Sequence, residues 1–158
     1  FYHDSAACLL RDGEVVAAAS EERFTRKKHD ADFPENAVRY CLEQGRIRID
    51  DIDYVGFYEK PFVKFKRILF THLACYPRSF GPWQKAIPSW MHEKLVIPSV
   101  IRQHTGYEGK VLMIEHHLSH AASSYLVSPF KEAAILTVDG VGEWSTATYG
   151  HGVGNDIK

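Results

Sequence analysis

Residues 6–19 read Ala6-Ala7-Cys8-Leu9-Leu10-Arg11-Asp12-Gly13-Glu14-Val15-Val16-Ala17-Ala18-Ala19. Two small, apolar runs flank Asp-Gly, a dipeptide that tolerates the positive φ angles of a two-residue hairpin turn. The stretch predicts strand, tight turn, strand. Its near-continuous apolar character predicts strands covered on both faces.

Downstream, residues 21–32 are dense in charge and lack apolar periodicity, so a loop is predicted. Pro34 suits the first turn of a helix, Ala37, Val38, Tyr40, Cys41 and Leu42 supply its stripe, and Gly45 closes it. Residues 52–58 alternate and predict a strand. Residues 61–105 are the least legible part. Phe62, Phe65, Ile68 and Leu69 suit one amphipathic helix, and Pro77, Pro82, Pro88 and Pro98 break the remainder of that segment into short pieces. Trp83 and Trp90 read as packing residues.

Beyond these, residues 110–114 predict a short strand, 115–126 a helix, and 133–138 a buried strand. Residues 139–142 predict a glycine-rich turn, 144–149 a strand, and 151–156 another turn. Strands interleaved with helices predict a mixed α/β sheet. The opening strand-turn-strand is faintly echoed after residue 131, as expected of a duplicated lobe. The reading places a first lobe at 1–130 and the start of a second at 131–158. The ends are expected to be cuts within a longer enzyme, with exposed strand edges that favour self-association as a homodimer.

Composition limits function. The chain has 158 residues, 45% hydrophobic and 25% charged, which is ordinary for a globular protein and excludes a disordered tail or a coiled coil. Lys+Arg 19 against Asp+Glu 20 gives a net charge of −1, which argues against nucleic-acid binding through bulk charge. No apolar run is long enough for a membrane helix. Cys8, Cys41 and Cys75 form no CxxC pair and read as small buried hydrophobes of a cytoplasmic protein.

The sharpest chemical signal is His116-x-x-x-His120. Residues four apart on a helix share a face, so two imidazoles can reach one metal ion. The protease pattern HExxH is not met, because the second position is His117. Asp139, at the end of a strand, is the candidate third ligand. Two histidines and a carboxylate suit Fe(II) or Zn(II) with positions left open for substrate. His117 points elsewhere on a helix and reads as well for packing as for a role. The backbone N–H groups of Asp139-Gly140-Val141-Gly142 could cradle a phosphate, though such turns are common. His3-Asp4-Ser5 is a second polar turn. Arg23, Arg26, Lys27, Lys28 and His29 form a basic run, usually a solvated loop.

These motifs together resemble a known family. Phe1-Tyr2-His3-Asp4-Ser5-Ala6-Ala7, Glu21-Glu22-Arg23-Phe24-Thr25-Arg26-Lys27-Lys28, Phe33-Pro34, Glu115-His116-His117-Leu118-Ser119-His120-Ala121-Ala122-Ser123 and Val138-Asp139-Gly140-Val141-Gly142-Glu143 resemble the amino-terminal part of the O-carbamoyltransferases of nodulation-factor and antibiotic tailoring. The resemblance covers nearly the whole chain.

It implies an actin/hexokinase/Hsp70-like (ribonuclease H-like) duplicated fold, similar to the tRNA threonylcarbamoyl-transfer protein. It implies that a separate carboxy-terminal module makes carbamoyl-adenylate from carbamoyl phosphate and ATP. The amino-terminal module would then pass the carbamoyl group to a hydroxyl of a sugar or other small molecule. By the same resemblance His116, His120 and Asp139 match metal ligands, with iron expected. Asp139 to Gly142 lie near the adenylate phosphate, and His3 lies near the transferred group. We assign His3 as the base that deprotonates the acceptor. Ser119, where the tRNA-modifying relatives usually carry Gly, favours the small-molecule branch. The alternatives are a tRNA-modifying protein of the threonylcarbamoyl type, a non-catalytic metal-binding module and an interaction fragment.

Overall fold

The computed structural model describes residues 4–81, 84 and 96–158. His3 lies outside these residues, as do Pro82, Trp83, Pro88 and Trp90. The chain is mixed α/β and divides into two compact units, Phe1–Tyr54 with Val96–Lys110 and Val55–Leu95 with Val111–Lys158.

In the first unit, β1 (Ala6–Arg11) and β2 (Glu14–Ser20) form an antiparallel hairpin. Asp12 and Gly13 take φ of 53° and 85°, the two positive values that a hairpin turn of this kind requires. The register slips between Leu9 and Leu10 as a bulge. Leu9 and Ala17 are buried against Cys41 of α2 (Glu35–Gly45), with Ala7, Val16, Ile47 and Ile52 around them. Among the described residues this is the face that is covered, which corrects the expectation of strands buried on both sides: Leu10 and Val15 are exposed. Small alanines on two short strands satisfied the apolar pattern without implying a second layer.

The charged segment is not a plain loop. Glu22–Thr25 form a helical turn, α1, which Arg26 ends in the left-handed region at φ 60°. Two of its acids turn inward. Glu21 accepts from Ala37 N at 2.9 Å, Asn36 N at 3.2 Å and Asn36 Nδ2 at 2.6 Å, so a carboxylate 15 residues upstream satisfies the first amides of α2. Asp30 accepts from Thr25 Oγ1 at 2.7 Å and Asp32 N at 3.1 Å. Arg46, not Gly45, supplies the left-handed cap of α2.

β3 (Tyr54–Phe57) pairs with β4 (Lys110–Met113), each in the second unit from its second residue on, and α3 (Pro61–Ala74) is the amphipathic helix expected there. In the first unit Pro98 stands in the opening turn of α4 (Ile97–Thr105), so it starts a helix where the sequence reading made it a break. α5 (His116–Tyr125) packs Ala121 and Tyr125 against Ile135 of β5 (Glu132–Val138).

β5 pairs antiparallel with β6 (Ala147–Val153), which pairs with β7 (Asp156–Ile157). β6 therefore starts three residues later than expected and runs through His151 and Gly152, which the sequence reading placed in a turn. Gly152 lies against the Tyr125 ring, where a Cβ would not fit. That glycine serves close packing within a strand. β5 is buried on alternate residues only, with Leu136 and Val138 exposed. Cys41 is buried, but Cys8 and Cys75 are exposed, which corrects their reading as core residues. Among the described residues, no helix is long and apolar enough to cross a membrane.

Candidate metal centre

The start of α5 and the end of β5 deliver the three residues that sequence spacing singled out. Glu115 is extended at the N-cap, so His116 is the first helical residue and His120 lies one turn on. Their side chains stack on one face, as a helix places positions i and i+4. His120 Nε2 is 3.1 Å from His116 Nε2. Asp139 begins the link after β5, and its Oδ2 is 2.8 Å from His116 Nε2. One ligand atom from each of the three residues lies within 4.8 Å of the others.

The turn itself shapes the Asp139 carboxylate. Gly140 N donates to Oδ1 at 2.7 Å and Gly142 N to Oδ2 at 2.8 Å. The Gly142 N–H, helped by the bonds from His116 and Gly140, holds the carboxyl down to about 2. It is an anion at neutral pH. The two glycine amides expected to cradle a phosphate here donate to Asp139, so a phosphate at this turn would share donors with the carboxylate.

This donor set fits a divalent cation. His116 Nε2 faces both Asp139 and His120 Nε2 and holds at most one hydrogen, which cannot serve both contacts well. If both rings carry their hydrogen on Nδ1, all three converging atoms offer lone pairs. His116 Nδ1 is buried and, among the described residues, has no hydrogen-bond partner. Donors bound side by side to one ion at about 2.1 Å stand about 3 Å apart, close to the two short separations here. His116 is mostly covered and His120 is exposed, so the group faces solvent on one side. Two imidazoles and a carboxylate with an open side suit iron or zinc.

Around this centre, Tyr58 lies beside His116, with ring centroids 6.0 Å apart. Burial, reinforced by Glu59, pushes its hydroxyl up to about 12, so it stays protonated. Ser119 Oγ donates to Tyr58 O at 3.2 Å. The turn after Asp139 is tied to α3 and its approach. Arg67 donates to Val141 O and Lys60 N to the buried Glu143 carboxylate.

The family profile of the carbamoyltransferase N-terminus matches residues 1–158. The chain belongs to this family. Among curated relatives, the uncharacterized protein sll1178 of Synechocystis sp. is 47% identical over 99% of this chain and 27% of its own length. The nodulation protein NolNO of Sinorhizobium fredii is 33% identical over all of this chain and 22% of its own length. An uncharacterized protein of Methanocaldococcus jannaschii, MJ1051, is 32% identical over 89% of this chain and 21% of its own length. The chain thus spans about a quarter of the relatives it matches.

In this carbamoyltransferase N-terminal domain, the structure brings His116, His120 and Asp139 together and sets Gly140, Val141 and Gly142 in the turn that holds Asp139. Asp4, next to His3, takes φ 52° and pairs with His29 Nδ1 at 2.8 Å within the first unit. Sequence reasoning missed Glu143 and Tyr58. Glu143 stands at the end of the Val138–Glu143 motif and Tyr58 at the end of the alternating 52–58 run, but only the fold buries the Glu143 carboxylate and sets the Tyr58 ring beside His116. His117 was left open between packing and a role. It is buried, with both ring nitrogens bonded.

Proposed function

We propose that this chain is the carbamoyl-transferring, amino-terminal part of an enzyme that moves a carbamoyl group from carbamoyl-adenylate to a hydroxyl of a sugar or other small molecule. Carbamoyl phosphate and ATP would supply the adenylate through a carboxy-terminal module of the same protein. The observation that carries this reading is the convergence of His116, His120 and Asp139 in a chain of the carbamoyltransferase N-terminal family. The lobe organisation, 1–130 and the start of a second lobe from 131, belongs to the same proposal, with the actin/hexokinase/Hsp70-like architecture.

His116, His120 and Asp139 would hold a divalent ion, iron first and zinc second. Bound there, it would polarise the carbamoyl carbonyl and neutralise the leaving phosphate. The protein's own groups do the rest. Asp139 stays ionised through its glycine amides, so the site keeps its charge over the physiological range. The solvent-facing side at His120 leaves room for the acceptor. The acceptor oxygen attacks the carbamoyl carbon, the bond to the adenylate phosphate breaks, and AMP leaves. His3 would take the hydroxyl proton, as an imidazole titrates near operating pH. The 140–142 turn would lie beside the departing phosphate.

The test is carbamoyl transfer by the full-length protein from carbamoyl phosphate and ATP, with hydroxyl acceptors in parallel and metal content measured on the same sample. Transfer that disappears in His116→Ala and His120→Ala supports the reading. A metal-loaded protein that transfers carbamoyl to no hydroxyl overturns it. A His3→Asn variant that still transfers at the full rate from preformed carbamoyl-adenylate removes His3 as the base.

A further inference from the structure

His117 has no place among the metal donors, yet it is one of the few buried polar side chains, 5% exposed. Its Nε2 is 2.7 Å from the carbonyl oxygen of Ser145. A carbonyl only accepts, so Nε2 carries the hydrogen. Nδ1 is 2.6 Å from Thr137 Oγ1, which is 2.6 Å from Thr148 Oγ1. The hydroxyls can therefore run in one direction, Thr148 to Thr137 to His117 to the Ser145 carbonyl. Two neighbouring strands, through paired Thr137 and Thr148, thus orient an imidazole that reaches into the 139–146 link.

That link carries Asp139. Its base is closed by Asp139 N donating to Thr146 O at 2.7 Å. Its far side is held at Ser145 by His117. Between them Gly142 takes φ 53°, and a Cβ there would strike the Ser145 carbonyl and come within 2.9 Å of His117 Nε2. Gly142 N in turn holds the Asp139 carboxylate. The path from His117 to Asp139 is short and made of backbone: His117 to Ser145, then Thr146 to Asp139 N, with Gly142 packed between. His117 also follows His116 directly. One turn of α5 thus places one ligand itself and fixes the loop that carries another.

We propose that His117 is a positioning residue for the metal centre, holding the 139–146 link so that Asp139 meets the histidine pair. This rests on the metal reading above. Loss of its hydrogen bond would let Asp139 swing away from His116, and affinity would fall as it does when residues that orient ligands are removed, by about 10- to 100-fold.

The experiment is titration of the full-length apoprotein with Co²⁺, followed by its visible absorption, in the wild type and five variants, Asp139→Ala alone among them. His117→Leu is expected to weaken binding at least about tenfold and to change the band as the carboxylate ligand is lost. His117→Gln, whose amide can still donate toward Ser145 O, is expected to recover most of the affinity. Thr137→Val, a milder change, should weaken binding several-fold while leaving the fold intact, and it carries the test if His117→Leu does not fold. Adding His117→Leu to Asp139→Ala should cost nothing further, because His117 acts through Asp139. Wild-type affinity and spectrum in folded His117→Leu, or costs that add in the double variant, overturn the proposal. A wild-type protein that binds no Co²⁺ overturns the metal reading instead.

Discussion

His120 Nε2 stands 3.1 Å from His116 Nε2, one helical turn apart, with both rings turned toward Asp139. Two imidazole nitrogens this close share a single cation far better than they share a hydrogen. Replacing either histidine with alanine is expected to lower divalent-ion affinity by at least about tenfold. His151→Ala, which removes an exposed histidine paired with Glu132 at 2.9 Å, should leave it unchanged. Metal content after loading and desalting reads both outcomes. Equal retention in all three variants would dismiss the centre.

Gly142 and Gly140 sit two residues apart and should respond unequally to alanine. Gly142 has φ 53° and no room for a Cβ, whereas Gly140 has open space around it and no positive φ. Gly142→Ala is expected to cost about 1–3 kcal/mol from backbone strain, with further loss from the clash at Ser145. Gly140→Ala should fall within about 0.5 kcal/mol of the parent. Denaturant melts of the two variants measure the contrast. Similar stabilities would mean that the turn is not held as described.

The convergence of His116, His120 and Asp139 was legible because its signals are local. The spacing of His116 and His120 is a helical turn written in sequence, and Asp139 stands where an apolar run meets glycines. Asp12-Gly13 marked its hairpin for the same reason. The features that were not legible depend on distance along the chain. Nothing near Glu21 says that its carboxylate will meet amides 15 and 16 residues away. Gly152 looks like a turn residue until the Tyr125 ring is placed against it. Similarly, apolar runs in β1 and β2 promised two covered faces, and the one in β5 a buried strand. A strand's period reports which residues share a side, not whether anything lies on that side.

Asp30 predicts an acid-dependent contribution to stability. Its carboxyl lies below the ordinary 3.8, chiefly because Thr25 Oγ1 donates to it, with Asp32 N and Lys27 adding to the effect. A carboxyl depressed in the folded state stabilises above its unfolded value and loses that contribution as pH falls through the folded one. The thermal midpoint of Asp30→Asn should therefore lie below that of the parent at pH 7. The gap should narrow progressively below 3.8, where the parent also becomes protonated. Thermal melts across this range test it. A gap that stays constant down to the most acidic pH would show that Asp30 acts through shape alone.

Glu21 predicts a loss of stability that begins at the first turn of α2. The side chain is only 2% exposed and accepts three N–H groups, two from the backbone at the start of α2 and one from the Asn36 amide. Alanine there would leave these donors buried without an acceptor, and each unsatisfied group costs about 1–3 kcal/mol unless water enters. Water can reach Asn36, which is partly exposed, more readily than Ala37, which is fully buried. The net loss expected for Glu21→Ala is therefore about 2–4 kcal/mol. Glu21→Gln keeps one carbonyl acceptor but turns an NH₂ group toward N–H donors, so it should recover part of the loss and not all of it. Hydrogen exchange locates the effect, with the Ala37 amide exchanging faster while amides at the 139–146 turn stay as protected as in the parent. If Glu21→Ala leaves stability and the Ala37 amide unchanged, the carboxylate does not anchor α2.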